Sequence, residues 1–179
     1  MKEYSEEFYR DRFEKTAHAA ETILSLALES LPEVRSAVDV GCGVGTWLSV
    51  LSGMGVETIL GYDGSWVDRD LLVIPEENFR EVRLDTVDSL PGTYDLAISL
   101  EVAEHIPPDR AEAFVSMLTG LSDHILFSAA IPFQGGTNHF NERWQGYWAG
   151  LFSRLVWFTA THHQLAEAAG QDLDHLFAG

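Results

Sequence analysis

Short apolar runs alternate along this chain with longer stretches of helical spacing. The runs are Ser36–Val40, Thr58–Tyr62, Phe79–Leu84, Tyr94–Leu100 and His124–Ile131. Their nearly continuous hydrophobicity suits strands covered on both faces. Thr46–Met54 and Pro108–Leu121 read as helices between them. Ser5–Leu31 reads as a longer helix, with Ser5 as its cap, Glu6 and Glu7 in the first turn, and Pro32 as its stop. Its residues Phe8, Phe13, Ala17, Ala20, Leu24, Ala27, Leu28 and Leu31 recur at near-helical intervals. The alternation predicts an α/β fold with a doubly wound, mostly parallel sheet, right-handed crossovers and helices on both faces. Ligands in such sheets sit beyond the carboxyl ends of the strands, so chemistry is expected just after each run.

The residues at those places carry it. The first run leads into Asp39-Val40-Gly41-Cys42-Gly43-Val44-Gly45-Thr46, then Trp47. Glycines at 41, 43 and 45 let the backbone turn tightly and approach a ligand closely. The loop ends at a helix start, where free N–H groups favour a carboxylate. The second run ends at Asp63, followed by Gly64 and Trp66. A carboxylate there can accept both hydroxyls of a ribose. Asp85 ends the third run, placed for an adenine amino group, and Leu100 and Glu101 end the fourth. A dinucleotide fingerprint would put its third glycine at position 46, where this chain has Thr46.

In these residues the chain resembles the class I S-adenosylmethionine-dependent methyltransferases, with their Rossmann-like fold. The matching parts are the Val38–Gly45 loop, Asp63, Asp85 and Glu101–His105. More narrowly, it is similar to bacterial methyltransferase-domain proteins that combine three stretches, here Gly61–Asp68, Leu100–His105 and Gly135–Trp144. The resemblance implies S-adenosyl-L-methionine as cofactor, with the glycine loop at its methionine part, Asp63 on the ribose and Asp85 near the adenine. The expected cofactor contacts are Asp39, Gly41, Cys42, Gly43, Gly45, Trp47, Asp63, Gly64, Trp66, Asp85, Leu100 and Glu101. Such proteins normally continue through a sixth and a seventh strand, whereas here only Ser153–Gly179 remain. The C-terminal strands are therefore expected to be shortened or remodelled, with a strand at Leu155–Thr161 and a helix at His162–Phe177.

Composition narrows the partners. Residues 1–179 have the size of one domain, with 1–32 as a helical cap and 153–179 as an atypical end. A formal charge of −17 would repel a phosphate backbone, so no nucleic acid is expected, and anionic membrane surfaces are disfavoured. No apolar run approaches the roughly 20 residues of a membrane span. The first residues are polar and acidic, unlike a secretory signal, and a single cysteine suits a reducing cytoplasm. The expected partner is a small-molecule methyl acceptor. The β-forming tail, Leu155–Phe177, also suggests a homodimer.

Methyl transfer from a sulfonium is an in-line displacement that needs positioning and, for oxygen or nitrogen acceptors, removal of a proton. His105 and His139 are the candidate bases, since an imidazole titrates near neutral pH. Packing at a helix start is the simpler reading of His105; Glu104 either orients His105 or, more simply, is a first-turn carboxylate; and His139 has Asn138, Asn141 and Glu142 close in sequence. Cys42 reads as a small buried side chain rather than a nucleophile. The adjacent pair His162-His163, with His139 as a third ligand, invites a metal reading, but adjacent residues make a poor chelate, so no metal is expected. Trp144, Tyr147, Trp148 and Phe152 recur at helical spacing and read as a core face. The competing functions are a cofactor-binding protein with lost or altered chemistry and a nicotinamide-dependent oxidoreductase.

Overall fold

The computed structural model describes residues 6–154, with side chains from residue 16 onward. The expected strand at Leu155–Thr161, the helix at His162–Phe177, the His162-His163 pair, the Ser5 cap and the Leu155–Phe177 dimer contact lie outside the described residues.

Among the described residues five strands form one sheet: β1 (Ser36–Val40), β2 (Thr58–Asp63), β3 (Phe79–Glu81), β4 (Leu96–Ser99) and β5 (Ile125–Phe127). Their order is β3-β2-β1-β4-β5 and every pairing is parallel. The chain therefore winds outward one way from β1, then returns to β1's other side with β4. That reversal opens a crevice above the carboxyl ends of β1 and β4. The helices are α1 (Glu6–Glu29), α2 (Thr46–Gly53), α3 (Ala111–Leu121) and α4 (Gln145–Phe152).

Side-chain alternation on the strands feeds two cores. Ala37, Ile59, Leu96 and Ile98 pack with Ala20, Ile23, Leu24, Leu48 and Leu51 of α1 and α2. Val38, Val40 and Ala97 pack on the other face with Phe114, Val115 and Leu118 of α3 and Trp148, Leu151 and Phe152 of α4. Both faces are covered, as the apolar runs predict.

Three expectations need adjustment. The third run pairs with β2 only over Phe79–Glu81, an edge strand of which only Phe79 is buried. The fifth pairs only over Ile125–Phe127. The aromatic face of α4 is partial: Trp148 and Phe152 are buried against Phe127, while Trp144 and Tyr147 are exposed.

Candidate cofactor and acceptor site

The glycine loop continues the sheet before it turns. The N–H groups of Gly41 and Cys42 both donate to the Tyr62 carbonyl, at 2.7 and 3.2 Å, which ties the loop to β2. All three loop glycines have positive φ, at 92, 53 and 88°. Their surroundings differ. A β-carbon on Gly41 would strike Val102, and one on Gly45 would strike Ile74, so those two are demanded by packing. Gly43 faces open space within 4 Å, the room a ligand would use. Gly45 caps α2 in a left-handed conformation with no side-chain cap bond, leaving the helix N-terminus available to an anionic group.

Asp63 follows as the hinge of this loop. Its carboxylate accepts from the Gly43 N–H at 2.7 Å and the Gly64 N–H at 2.6 Å, one on each oxygen. Each oxygen keeps a further lone pair, enough for the two ribose hydroxyls that the sequence assigns to it. Asp39 lies at the β1 end of the same crevice, only 2% exposed. Burial, and next the neighbouring Asp63 charge, push its pKa up to about 8. Cys42 is buried beside them, and burial followed by the Asp39 and Asp63 charges drives its thiol well above the ordinary range. It is a packing residue against Gly61, as expected.

The remaining expected contacts occupy the rim. Trp66 is 74% exposed, yet the far edge of its ring covers Gly64, beside Asp63. Trp47 and Leu100 are half-buried and pack against the α1/α2 core. Asp85 lies four residues beyond β3 and is gripped by Arg83 through two bonds, of 2.7 and 3.2 Å. That pairing holds its carboxyl below the usual range. Glu101 adopts φ 55°, uncommon for a residue with a side chain. Its carboxylate turns to the segment after β5, accepting from Ser128 Oγ at 2.7 Å and Gln134 Nε2 at 3.2 Å.

The two candidate bases come together. His105 ends a single 3-10 turn, Ala103–His105, and its ring meets His139 edge-on with centroids 4.9 Å apart. His139 is carried there by a loop with positive φ at Phe133, Gly135, Gly136 and Asn138. A β-carbon on Gly136 would collide with the His139 imidazole, so the glycine makes room for the ring. The N–H groups of Phe140 and Asn141 anchor the loop on the Glu104 carbonyl at 2.9 and 3.0 Å.

Three neighbours of the bases take fuller parts than the sequence reading gave them. Glu104, read as a first-turn carboxylate, is 1% exposed, and burial, then the Glu101 charge, lift its pKa to about 7. Glu142 holds His139 Nδ1 at 3.1 Å and accepts from the N–H groups of Phe133 and Gly135. The Asn138 carbonyl holds His105 Nδ1 at 3.2 Å. The available signal was the glycine pair Gly135-Gly136 close before a histidine and an acid, a pattern that spends two flexible residues on placing polar ones.

Comparison with known proteins agrees with this architecture. A protein family described as "Methyltransferase domain" matches residues 8–175. A curated relative, the ubiquinone biosynthesis O-methyltransferase of Methylococcus capsulatus, is 33% identical over 127 residues, or 64% of this chain and 52% of the relative. The chain thus spans about half the length of that relative. Among solved structures, magnesium protoporphyrin IX methyltransferase from Synechocystis with bound S-adenosylhomocysteine aligns with TM-score 0.60 and 20% identity. The alignment covers 85% of this chain and 78% of that one. A SAM-dependent methyltransferase from Archaeoglobus fulgidus aligns at 0.58 and 17% identity, over 78% and 68%. These two likenesses bear on the fold. With the family matched over nearly its whole length and the sheet order of class I enzymes, the chain belongs to the methyltransferase-domain family.

Proposed function

We propose that the chain is an S-adenosylmethionine-dependent methyltransferase acting on a small molecule. The observation that carries this reading is the pair of buried carboxylates, Asp39 and Asp63, flanking the open position at Gly43. Two carboxylates in low dielectric raise each other's energy unless a cationic or hydroxyl-bearing ligand joins them. S-adenosylmethionine offers a sulfonium, an ammonium and two ribose hydroxyls. A nicotinamide dinucleotide also carries ribose hydroxyls; Thr46, where a dinucleotide fingerprint has its third glycine, and the Glu101–His105 segment disfavour the oxidoreductase alternative.

The cofactor contacts in this proposal are the residues expected from the sequence, with Asp63 on the ribose and the loop at the methionine part. His105 and His139 serve the acceptor. They follow β4 and β5, and Val102 between Glu101 and the histidine turn packs on Gly41, which ties the two halves of the site together. An oxygen acceptor is supported by the name of the Methylococcus relative, an O-methyltransferase. Transfer then needs the acceptor oxygen in line with the methyl–sulfur bond and its proton removed. Among the described residues no helix is long and apolar enough to cross a membrane. A homodimer through Leu155–Phe177 belongs to the same proposal, and a monomer by light scattering at high micromolar concentration would remove it.

The test is turnover. Incubation with S-adenosylmethionine and a panel of hydroxylated small molecules should release S-adenosylhomocysteine with at least one of them. Binding of the cofactor without turnover on any hydroxyl, amine or thiol acceptor would overturn the enzymatic reading.

A further inference from the structure

Glu104, His105 and His139 each offer one ligand atom, and these atoms lie within 4.8 Å of one another. We propose that they bind a first-row divalent cation on the acceptor side of the crevice. Two imidazoles and one carboxylate are the donor set of catalytic zinc sites and of other first-row cations held with open positions. The sequence reading expected no metal, because it weighed His139 for one only beside the adjacent pair His162-His163, a poor chelate. The trio found here is assembled instead from a 3-10 turn and a distant loop.

Three features go beyond proximity. First, Glu104 is 1% exposed; the backbone N–H groups of Glu104 and Ala130 favour its carboxylate, but Oε2 makes no hydrogen bond, and Oε1 lies 4.0 Å from His139 Nε2. A buried carboxylate left short of partners is costly, and a cation bridging it to the imidazoles removes that cost. Second, both rings are held from behind. Glu142 takes His139 Nδ1 at 3.1 Å and the Asn138 carbonyl takes His105 Nδ1 at 3.2 Å. An acceptor behind one ring nitrogen puts the proton there and turns the other nitrogen's lone pair forward, the usual support of a metal-bound histidine. Third, backbone strain is concentrated in the loop that delivers His139, where Phe133 and Asn138 take positive φ beside Gly135 and Gly136. Glu101, whose charge raises Glu104, adds negative potential nearby.

The role of the cation in catalysis rests on the methyltransferase reading above; the site itself rests on the side chains alone. With three protein ligands, the open positions would take the acceptor's hydroxyl oxygen. The cation would lower that hydroxyl's pKa so that its proton passes to water. The oxygen's electron pair then forms the new bond to the methyl carbon, the carbon–sulfur bond breaks, and the sulfonium leaves as a neutral thioether.

Cobalt(II) is the probe, titrated into untagged, chelator-treated full-length protein and followed by its visible absorption. One equivalent should bind. Glu104→Gln and His139→Ala should abolish the bands, and Glu142→Gln should weaken binding roughly 10–100-fold. His18→Ala and the double change at His162 and His163 should leave them intact. Zinc should displace the cobalt. Unchanged S-adenosylhomocysteine binding by the chelator-treated wild type and by Glu104→Gln would show that both are folded and that the methyltransferase reading stands independently. The proposal is overturned if the wild type shows no bands, if Glu104→Gln and His139→Ala keep them, or if they vanish only in the His162/His163 variant.

Discussion

Replacing Asp63 with alanine disturbs two things at once, and the structure says how much of each. The carboxylate accepts from two loop N–H groups, of Gly43 and Gly64, at 2.7 and 2.6 Å, and is 6% exposed. A hydrogen bond to a charged group contributes about 1.5–3 kcal/mol, so alanine forfeits two such contributions and strands two donors. Relief of the repulsion with Asp39 returns part of this, leaving a net loss of about 2–4 kcal/mol. For a domain of this size each kcal/mol shifts the melting temperature by about 2–4 °C, so a fall of roughly 4–16 °C is expected. Binding suffers separately, because the ribose loses its acceptor and the loop its anchor; the dissociation constant for S-adenosylhomocysteine should rise tenfold or more, about 1.4 kcal/mol. Calorimetric titration below the variant's melting range, beside a thermal melt, reads both effects. Asp63→Asn is a useful companion, since its amide turns one N–H acceptor into a donor facing a donor. Wild-type affinity in the alanine variant would refute the placement of the ribose. Wild-type stability would refute the claim that this side chain holds the loop.

Further outcomes follow from the same geometry. Asp39 and Glu104 have pKa values raised on folding, to about 8 and about 7. The folded chain therefore keeps protons that the unfolded chain has lost, and the stability of metal-free protein should fall as pH rises from about 4 to 8, then level. Asp39→Asn should melt above the wild type at pH 8 and match it near pH 4 in a pH series of thermal melts; parallel curves would contradict the raised carboxyl. Gly41→Ala should cost about 1–3 kcal/mol of stability, because its β-carbon meets Val102 at φ 92°, as denaturant titration would show. A β-carbon on Gly43 meets no protein atom within 4 Å, but φ there is 53°, so Gly43→Val should lose some stability to backbone strain and abolish S-adenosylhomocysteine binding in a calorimetric titration below its melting range. Trp66→Ala should change stability by less than about 0.5 kcal/mol, yet weaken that binding, since the ring is exposed beside Asp63.

The sheet was legible in the sequence where burial is uniform. Val38, Val40, Ala97 and Ile98 lie in strands covered on both faces, so their apolar runs stand out. Asp39, Asp63 and the glycines followed from topology, because a doubly wound sheet brings its strand ends to one crevice. The ends of β3 and β5 were overextended, since apolar residues such as Leu84 and Ala130 are buried without being paired. The acceptor side was least legible. Glu104 and His139 are far apart in sequence, and their meeting depends on left-handed residues in a loop that no periodicity announces. Glu104 occupies a first-turn place that suits an acid whether it is exposed or buried, so the sequence did not announce that tertiary packing buries it.

The central claim is that the crevice between Asp39, Asp63 and the glycine loop takes S-adenosylmethionine. Its most direct test is calorimetric titration of the wild-type chain with S-adenosylhomocysteine beside a nicotinamide dinucleotide. The account predicts saturable binding of one S-adenosylhomocysteine per chain and no heat of binding from the dinucleotide. Binding of the dinucleotide alone, or of neither ligand, would contradict it.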